Sequence, residues 1–232
     1  MKNVEVLTRP IHNINLYEII MPDYDEIKED LKEYIYNVKV ENIPRVNQFS
    51  NGNLGGIGPH PQRHKNNLLE SNPNLFDDTS NPALNKLIDF CYEMVSSVIR
   101  EVNNNFVDMS NWVVGFQDSW FHITKDGGYH DYHAHHGSPW SGIFYVDIGD
   151  CNFESVNGIN RFYSPLHVPM LLGLNSLSVT NFDIEPENGK LVISPGFMPH
   201  SAVPYKGDKD RIIIAFNTKV VNNINGEYNE KI

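Results

Sequence analysis

The hydrophobic period of this chain changes once, near Trp112, and that change limits the fold more than any other feature. Before it, Leu84, Leu87, Ile88, Cys91, Val95, Val98, Ile99 and Val102 recur at spacings of three and four and form one continuous apolar stripe. This pattern predicts a helix over 82–102, opened by Ser80 or Asn81 with Pro82 in its first turn. A stripe of that width must lie on something apolar, most simply the face of a sheet. After Trp112 the period is two. Candidate strands are 112–124, 129–135, 140–148, 176–185, 189–194 and 210–220, separated by Gly127-Gly128, Gly149-Asp150, Asn188-Gly189 and Gly207-Asp208. Many short strands between turn signals specify a sandwich or barrel, and 232 residues suffice for one such domain.

The segments before that core are less regular. Residues 1–20 read as extended. A helix is expected to start near Asp23, with Glu26 in capping-box position and Ile27, Leu31, Tyr34, Ile35 and Val38 on its buried side. From Val46 to Thr79 the pattern fails in turn-rich sequence, which makes a long loop the expectation. The C-terminal stretch NNINGEYNEKI is polar and reads as frayed.

With 29 acidic and 18 basic side chains the net charge is −11. Generic binding to duplex nucleic acid or an anionic membrane is thereby disfavoured, because phosphate affinity rests on Lys and Arg. Cys91 and Cys151 make no disulfide framework or zinc spacing and read as reduced thiols of a cytoplasmic protein. No signal-peptide h-region is visible, and the longest apolar run, Met170 to Leu172, is far too short to span a membrane.

Four of the ten histidines fall in one run, His130-Asp131-Tyr132-His133-Ala134-His135-His136. On a strand alternate residues share a face, so His133 and His135 point the same way, with Asp131 beside them if the strand reaches back that far. His130 and His136 then point to the other side. Two imidazoles on one strand face suit a divalent metal, zinc and iron alike, although a solvated histidine-rich loop fits the same residues. Further on, His200 follows the Pro195-Gly196 and Pro199 turn, and Arg211 opens the apolar run Ile212 to Phe216. An arginine beside a buried strand either pairs with a neighbouring carboxylate, Asp208 or Asp210, or sits at the strand's mouth to hold a carboxylate in two parallel hydrogen bonds.

Together these features resemble the iron(II)- and 2-oxoglutarate-dependent oxygenases, whose usual motif is His-x-Asp/Glu, a distal histidine and a basic residue on the following strand. The similarity is closest to a bacterial and phage group of these enzymes. In that group a Trp-Phe-Asn-like strand precedes HxHPxSxxSGxYY, HxVxPY and RxSxxFN. The matching stretches here are SWFH (119–122), HAHHGSPWSGIFYV (133–146), PHSAVPY (199–205) and RIIIAFN (211–217), so the resemblance covers roughly 115–220.

The resemblance implies a mainly β fold with supporting α, a double-stranded β-helix (jelly roll, cupin-like) with the N-terminal helices packed on one sheet. It would form a single oxygenase domain over 1–232, with 112–220 as jelly-roll core and 1–111 in support. It implies Fe(II) held by His133, His135 and His200. His135 stands where the wider superfamily has a carboxylate, and Asp131 is the other candidate for third ligand. The cosubstrate 2-oxoglutarate would chelate the iron and reach Arg211 with its far carboxylate, helped by Tyr145 or Ser141. His122, where the group often has asparagine, would face that cosubstrate. With O2, decarboxylation to succinate and carbon dioxide would drive hydroxylation of a C–H bond.

Two other readings stay open at this level: a three-histidine cupin-type dioxygenase without 2-oxoglutarate, which Arg211 disfavours, and a catalytically silent jelly roll that binds a ligand or partner. No motif names the substrate; a small molecule or a protein side chain fits the fold, as does a homodimer. Trp120, Arg161 and His167 are candidate substrate contacts, and the loops 46–79 and 152–176 candidate walls. The second loop is expected to act as a lid hinged at Asn157-Gly158 and Gly173, or else as a cover or dimer contact.

Overall fold

The computed structural model describes residues 14–38, 67–103, 108–164 and 181–222. In chain order these form β1 (Tyr17–Ile20), α1 (Lys28–Asn37), β2 (Leu68–Glu70), α2 (Pro82–Asn103), β3 (Trp112–Thr124), β4 (His130–His133), β5 (Trp140–Asp147), β6 (Asn160–Tyr163), β7 (Asn181–Ile184), β8 (Lys190–Pro195), β9 (His200–Ala202) and β10 (Arg211–Asn222). A six-stranded sheet runs β1-β8-β5-β10-β3-β2 and a four-stranded sheet β4-β9-β6-β7. The ladders are antiparallel.

The stripe on α2 is buried as the spacing requires, through Leu84, Leu87, Cys91, Val95, Val98 and Ile99. The Asn81 side chain caps the helix, its Oδ1 accepting from the Leu84 N–H at 2.8 Å. This stripe, with Leu31 and Ile35 of α1, joins the outer face of the large sheet: Phe121, Ile123, Phe144, Val146, Leu191, Ile193, Ile212, Ile214 and Phe216. Where β5 passes β10, a Cβ on Gly142 would stand 2.1 Å from the Phe216 ring, so only glycine leaves room for that aromatic. A second core lies between the sheets, with Ile143, Tyr145, Val192, Ile213 and Ala215 facing Phe162 and Ile184.

Several expectations are corrected. Asp23 does not cap α1: its backbone is left-handed (φ 54, ψ 27), its side chain makes no capping bond, and a 3-10 turn at Tyr24–Glu26 intervenes. The turn is closed by the backbone instead, the Glu26 N–H donating to the Asp23 carbonyl at 3.0 Å. The turn-rich stretch before Thr79 contains β2, which pairs with the end of β3. The proposed lid contains β6, a strand of the small sheet.

Its supposed hinge at Asn157-Gly158 is a tied turn. The Asn157 amide donates to the Asp150 and Lys206 carbonyls at 2.7 and 2.8 Å. Gly158, at φ +64, packs where a Cβ would meet the Tyr205 ring at 2.6 Å. His167, Gly173 and the Met170–Leu172 run lie outside the described residues. Both cysteines are free thiols, and among the described residues no helix is long and apolar enough to cross a membrane.

Candidate active site

The site lies between the two sheets. His133 ends β4 directly opposite His200, which opens β9. His135 is not on the strand. It lies two residues beyond, where its N–H donates to the Gly196 carbonyl at 2.7 Å. That crossing is too tight for a side chain, since a Cβ on Gly196 would sit 1.9 Å from the Ser138 carbonyl oxygen. The Pro195-Gly196 turn thus brings the third histidine to the other two.

The ring centroids of His133 and His200 are 4.3 Å apart, of His133 and His135 5.0 Å, and of His135 and His200 5.2 Å. One ligand nitrogen of each lies within 4.8 Å of the others. The His133 Nδ1 bonds the Asp131 carbonyl at 2.7 Å and the His200 Nδ1 the Met198 carbonyl at 3.1 Å. A carbonyl only accepts, so both rings carry their proton on Nδ1 and present a lone pair at Nε2, the form a metal takes. Burial, reinforced by the neighbouring imidazoles, holds His135 and His200 down at about 3, so both are neutral near pH 7. The Asp131 carbonyl accepts from His133, and the donor atoms that converge are those of His133, His135 and His200.

On the large sheet Arg211 is 1 % exposed. Among the described residues no carboxylate pairs with it, and its Nε has no hydrogen-bond partner. The salt bridge open in the sequence is not formed, for Asp210 accepts instead from the Tyr36 hydroxyl at 3.1 Å. The guanidinium lies 5.7 Å from the centre of the Tyr145 ring. Arg211 Nη2 and the Tyr145 hydroxyl both donate to Asn160 Oδ1, at 2.6 and 2.7 Å. Burial raises the Tyr145 hydroxyl above its ordinary range, against the pull of Arg211, so it stays a donor.

Asn160 was not legible as a site residue. It lies on β6 inside the segment read as a lid, and only the strand's alternation turns it inward with Phe162. Its amide oxygen occupies the place, between an arginine and a tyrosine, that a carboxylate oxygen would take. A buried guanidinium without an anion is costly, and its orphaned Nε shows the recognition to be incomplete. The three converging imidazoles fit a divalent metal and the Arg211–Tyr145 pair fits the far carboxylate of a dicarboxylic acid.

The remaining candidates divide. Ser141 faces the same cavity but its hydroxyl donates to Asn217 Oδ1 at 2.9 Å, not toward Arg211. Trp120 lines the cavity, its ring 5.9 Å from His135 and its N–H donating to His122 Nε2 at 3.1 Å. His122 also lines it, but Nε2 lies 2.5 Å from a Glu70 carboxylate oxygen, a poor neighbour for an anionic cosubstrate. Arg161 is not a cavity residue. It alternates with Asn160 and Phe162 on β6 and forms a two-pronged bridge to Asp183 on β7, at 2.6 and 2.8 Å.

Residues 118–217 match the model of a family described as "Putative 2OG-Fe(II) oxygenase". No curated protein matches the chain in sequence. Among solved structures it is similar to HygX from Streptomyces hygroscopicus with nickel, 2-oxoglutarate and hygromycin B bound (11% identity, 88% of this chain and 82% of that one, TM-score 0.55). It is also similar to a prolyl hydroxylase from Trichoplax adhaerens in complex with a peptide fragment of hypoxia inducible factor (15% identity, 87% and 83%, TM-score 0.52). A third is the viral collagen prolyl hydroxylase of Paramecium Bursaria Chlorella virus-1 in its 2OG complex (12% identity, 89% and 96%, TM-score 0.51). At such identities the structures establish the jelly-roll fold. The family match, which starts on β3 and ends on β10, establishes the chemistry: this stretch is a 2OG-Fe(II) oxygenase domain, and the chain is an oxidoreductase that uses iron and 2-oxoglutarate.

Proposed function

We propose that His133, His135 and His200 hold the iron, that Arg211 and Tyr145 hold the distal carboxylate of 2-oxoglutarate, and that the chain hydroxylates a C–H bond of a small molecule or a protein side chain. The observation that carries this reading is the buried Arg211 without a carboxylate partner among the described residues, facing the same interior as the three converging histidines. A three-histidine dioxygenase without 2-oxoglutarate has no use for that cation.

When bound, iron and cosubstrate supply the oxidation by O2, with succinate and carbon dioxide as products of the keto acid. The chain supplies geometry and exclusion of water. Arg211 and Tyr145 would give a bound carboxylate the two hydrogen bonds that Asn160 Oδ1 now accepts. Tyr145 stays protonated, so its hydroxyl and the Arg211 guanidinium would both donate to the carboxylate. The solved structures with hygromycin B and with a peptide show that this fold admits both kinds of bound molecule. The described residues are read as one domain, because β1 joins the large sheet and α1 and α2 cover it.

Anaerobic binding of 2-oxoglutarate to the iron-loaded chain, followed by a substrate screen for succinate release, tests the reading. Binding that is tight in the wild type and weakened in Arg211→Lys, with iron retained, is expected. Equal loss of iron and cosubstrate would make Arg211 a structural residue.

A further inference from the structure

Beside the histidine triad stands a second convergence of metal-ligating side chains that the oxygenase reading leaves unused. Glu70 of β2, His122 of β3 and His130 of β4 each offer a donor atom within 4.8 Å of the other two. We propose that Glu70, His122 and His130 form a second divalent-metal site, adjacent to the triad.

Three features of the fold build it. Glu70 lies directly opposite His122 in the β2–β3 ladder, so both side chains leave the sheet on the same face. The β4–β9 register shifts between His130 and His133. Simple alternation would turn His130 away, but with this shift its ring lies 5.3 Å from that of His122 and 4.2 Å from that of His133. The Asp131 carbonyl then accepts from Nδ1 of both His130, at 3.2 Å, and His133, at 2.7 Å. One carbonyl oxygen thus sets the tautomer of an imidazole in each site, with Nε2 as the deprotonated nitrogen of both.

The chemistry at His122 points to a cation. The Trp120 N–H points at Nε2 from 3.1 Å, but that nitrogen has a single lone pair, so a cation shared with Glu70 displaces this contact. The Glu70 oxygen lies 2.5 Å from the same nitrogen. Two acceptors at that separation need a positive charge between them. In the metal-free chain a proton serves. A metal ion bonded to each at about 2.1 Å replaces it once the pair opens to about 3 Å. Two imidazoles and one carboxylate suit Fe(II), Mn(II), Co(II) or Zn(II). The set also supplies what the triad lacks, an anionic ligand to offset the charge of a dication. The inference does not depend on what the triad holds.

Metal counting tests it without turnover. The full chain is equilibrated with Co(II) alone, bound ions are counted by mass spectrometry, and folding is checked by circular dichroism. Two ions per wild-type chain are expected, one in each of Glu70→Gln, His130→Ala and His200→Ala, and none in the His130→Ala/His200→Ala double variant. With Mn(II), the wild type should show spin-coupled, broadened resonance and the single-site variants the lines of an isolated ion. A single ion in the wild type, lost in His200→Ala and kept in Glu70→Gln and His130→Ala, would overturn the second site and leave the oxygenase site standing. An ion kept in His200→Ala and lost in Glu70→Gln would support it whatever the triad binds.

Discussion

The two faces of the large sheet are made by the same strands and serve opposite ends. On β10, Ile212, Ile214 and Phe216 point outward into the core shared with α1 and α2, while Ile213 and Ala215 point inward to the space between the sheets. Arg211 and Asn217 share that inward alternation. The outer face is almost wholly apolar and each group in it gains by leaving water. The inner face buries Arg211, His122 and His200, half-buries His133 and His135, and holds several buried hydroxyls and amides, groups whose desolvation costs stability unless a partner compensates. Stability is concentrated on one side of a sheet about one residue thick and chemistry on the other, so mutations on the two sides should separate.

The sharpest break in that comparison is expected at His200. His200→Ala removes the histidine paired opposite His133. Iron binding at the triad should be lost and succinate release fall to background, while the metal-free chain keeps its melting temperature or gains a little. A marked loss of stability in the metal-free variant would show that the inner face also holds the fold together.

The matching change outside is Leu87→Ala. Leu87 is 0 % exposed against the sheet. Its truncation should cost about 2–5 kcal/mol, measured by denaturant unfolding. Turnover per folded molecule and iron affinity should not move. A selective loss of turnover at unchanged stability would place α2 at the site, contrary to the separation of faces.

A smaller effect within the inner face distinguishes cosubstrate from metal. Arg211→Lys keeps a charge and loses the fork. Losing charge-assisted hydrogen bonds worth about 1.5–3 kcal/mol should raise the 2-oxoglutarate requirement by roughly 10–100-fold. Iron binding should be unchanged. Asn160→Asp should act the same way for the opposite reason, by fixing a carboxylate between Arg211 and Tyr145. If that variant binds 2-oxoglutarate as well as the wild type, the Asn160 pocket is not where the cosubstrate ends.

The outer face was nearly all legible in the sequence, because periodicity reports burial directly. The stripe from Leu84 to Val102 predicts α2 to within a residue at its C-terminus, and β3, β5, β8 and β10 follow from period two. The inner face was legible where a motif names it, at His133, His135, His200, Arg211 and Tyr145. It was not legible where tertiary geometry overrides local pattern. The β4 register shift turns His130 toward His133, where alternation puts it on the other side. The three-residue strand β2 carries Glu70 to His122 from within a run of turn residues too short to show a period. Asn160 enters the site from a segment with no motif, and Arg161, the conspicuous charge beside it, spends itself on Asp183.

The smallest expected effect is in the pH dependence of stability, and it also divides the faces. For the metal-free chain, His135 and His200 are held at about 3, against 6.5 for the free side chain. Between these values the unfolded chain binds protons that the native chain refuses. Stability therefore falls as pH is lowered, by at most about 1.4 kcal/mol per pH unit for each histidine. The carboxylates whose values are lowered by partners, Asp78, Asp108, Asp147 and Asp150, start from 3.8 and lose their contribution only as pH falls below it. The window from about 6.5 to 4 thus belongs to the histidines of the inner face. In that window His200→Ala should show a shallower slope than the wild type by up to one proton. Leu87→Ala should run parallel to the wild type, displaced downward at every pH, since the exchange adds and removes no titrating group. Denaturant unfolding of the three metal-free chains at pH 4, 5, 6 and 7 measures both. Equal slopes in the wild type and His200→Ala would mean that the buried imidazole is not held neutral by its surroundings, and the triad would lose its claim to be prepared for metal before the metal arrives.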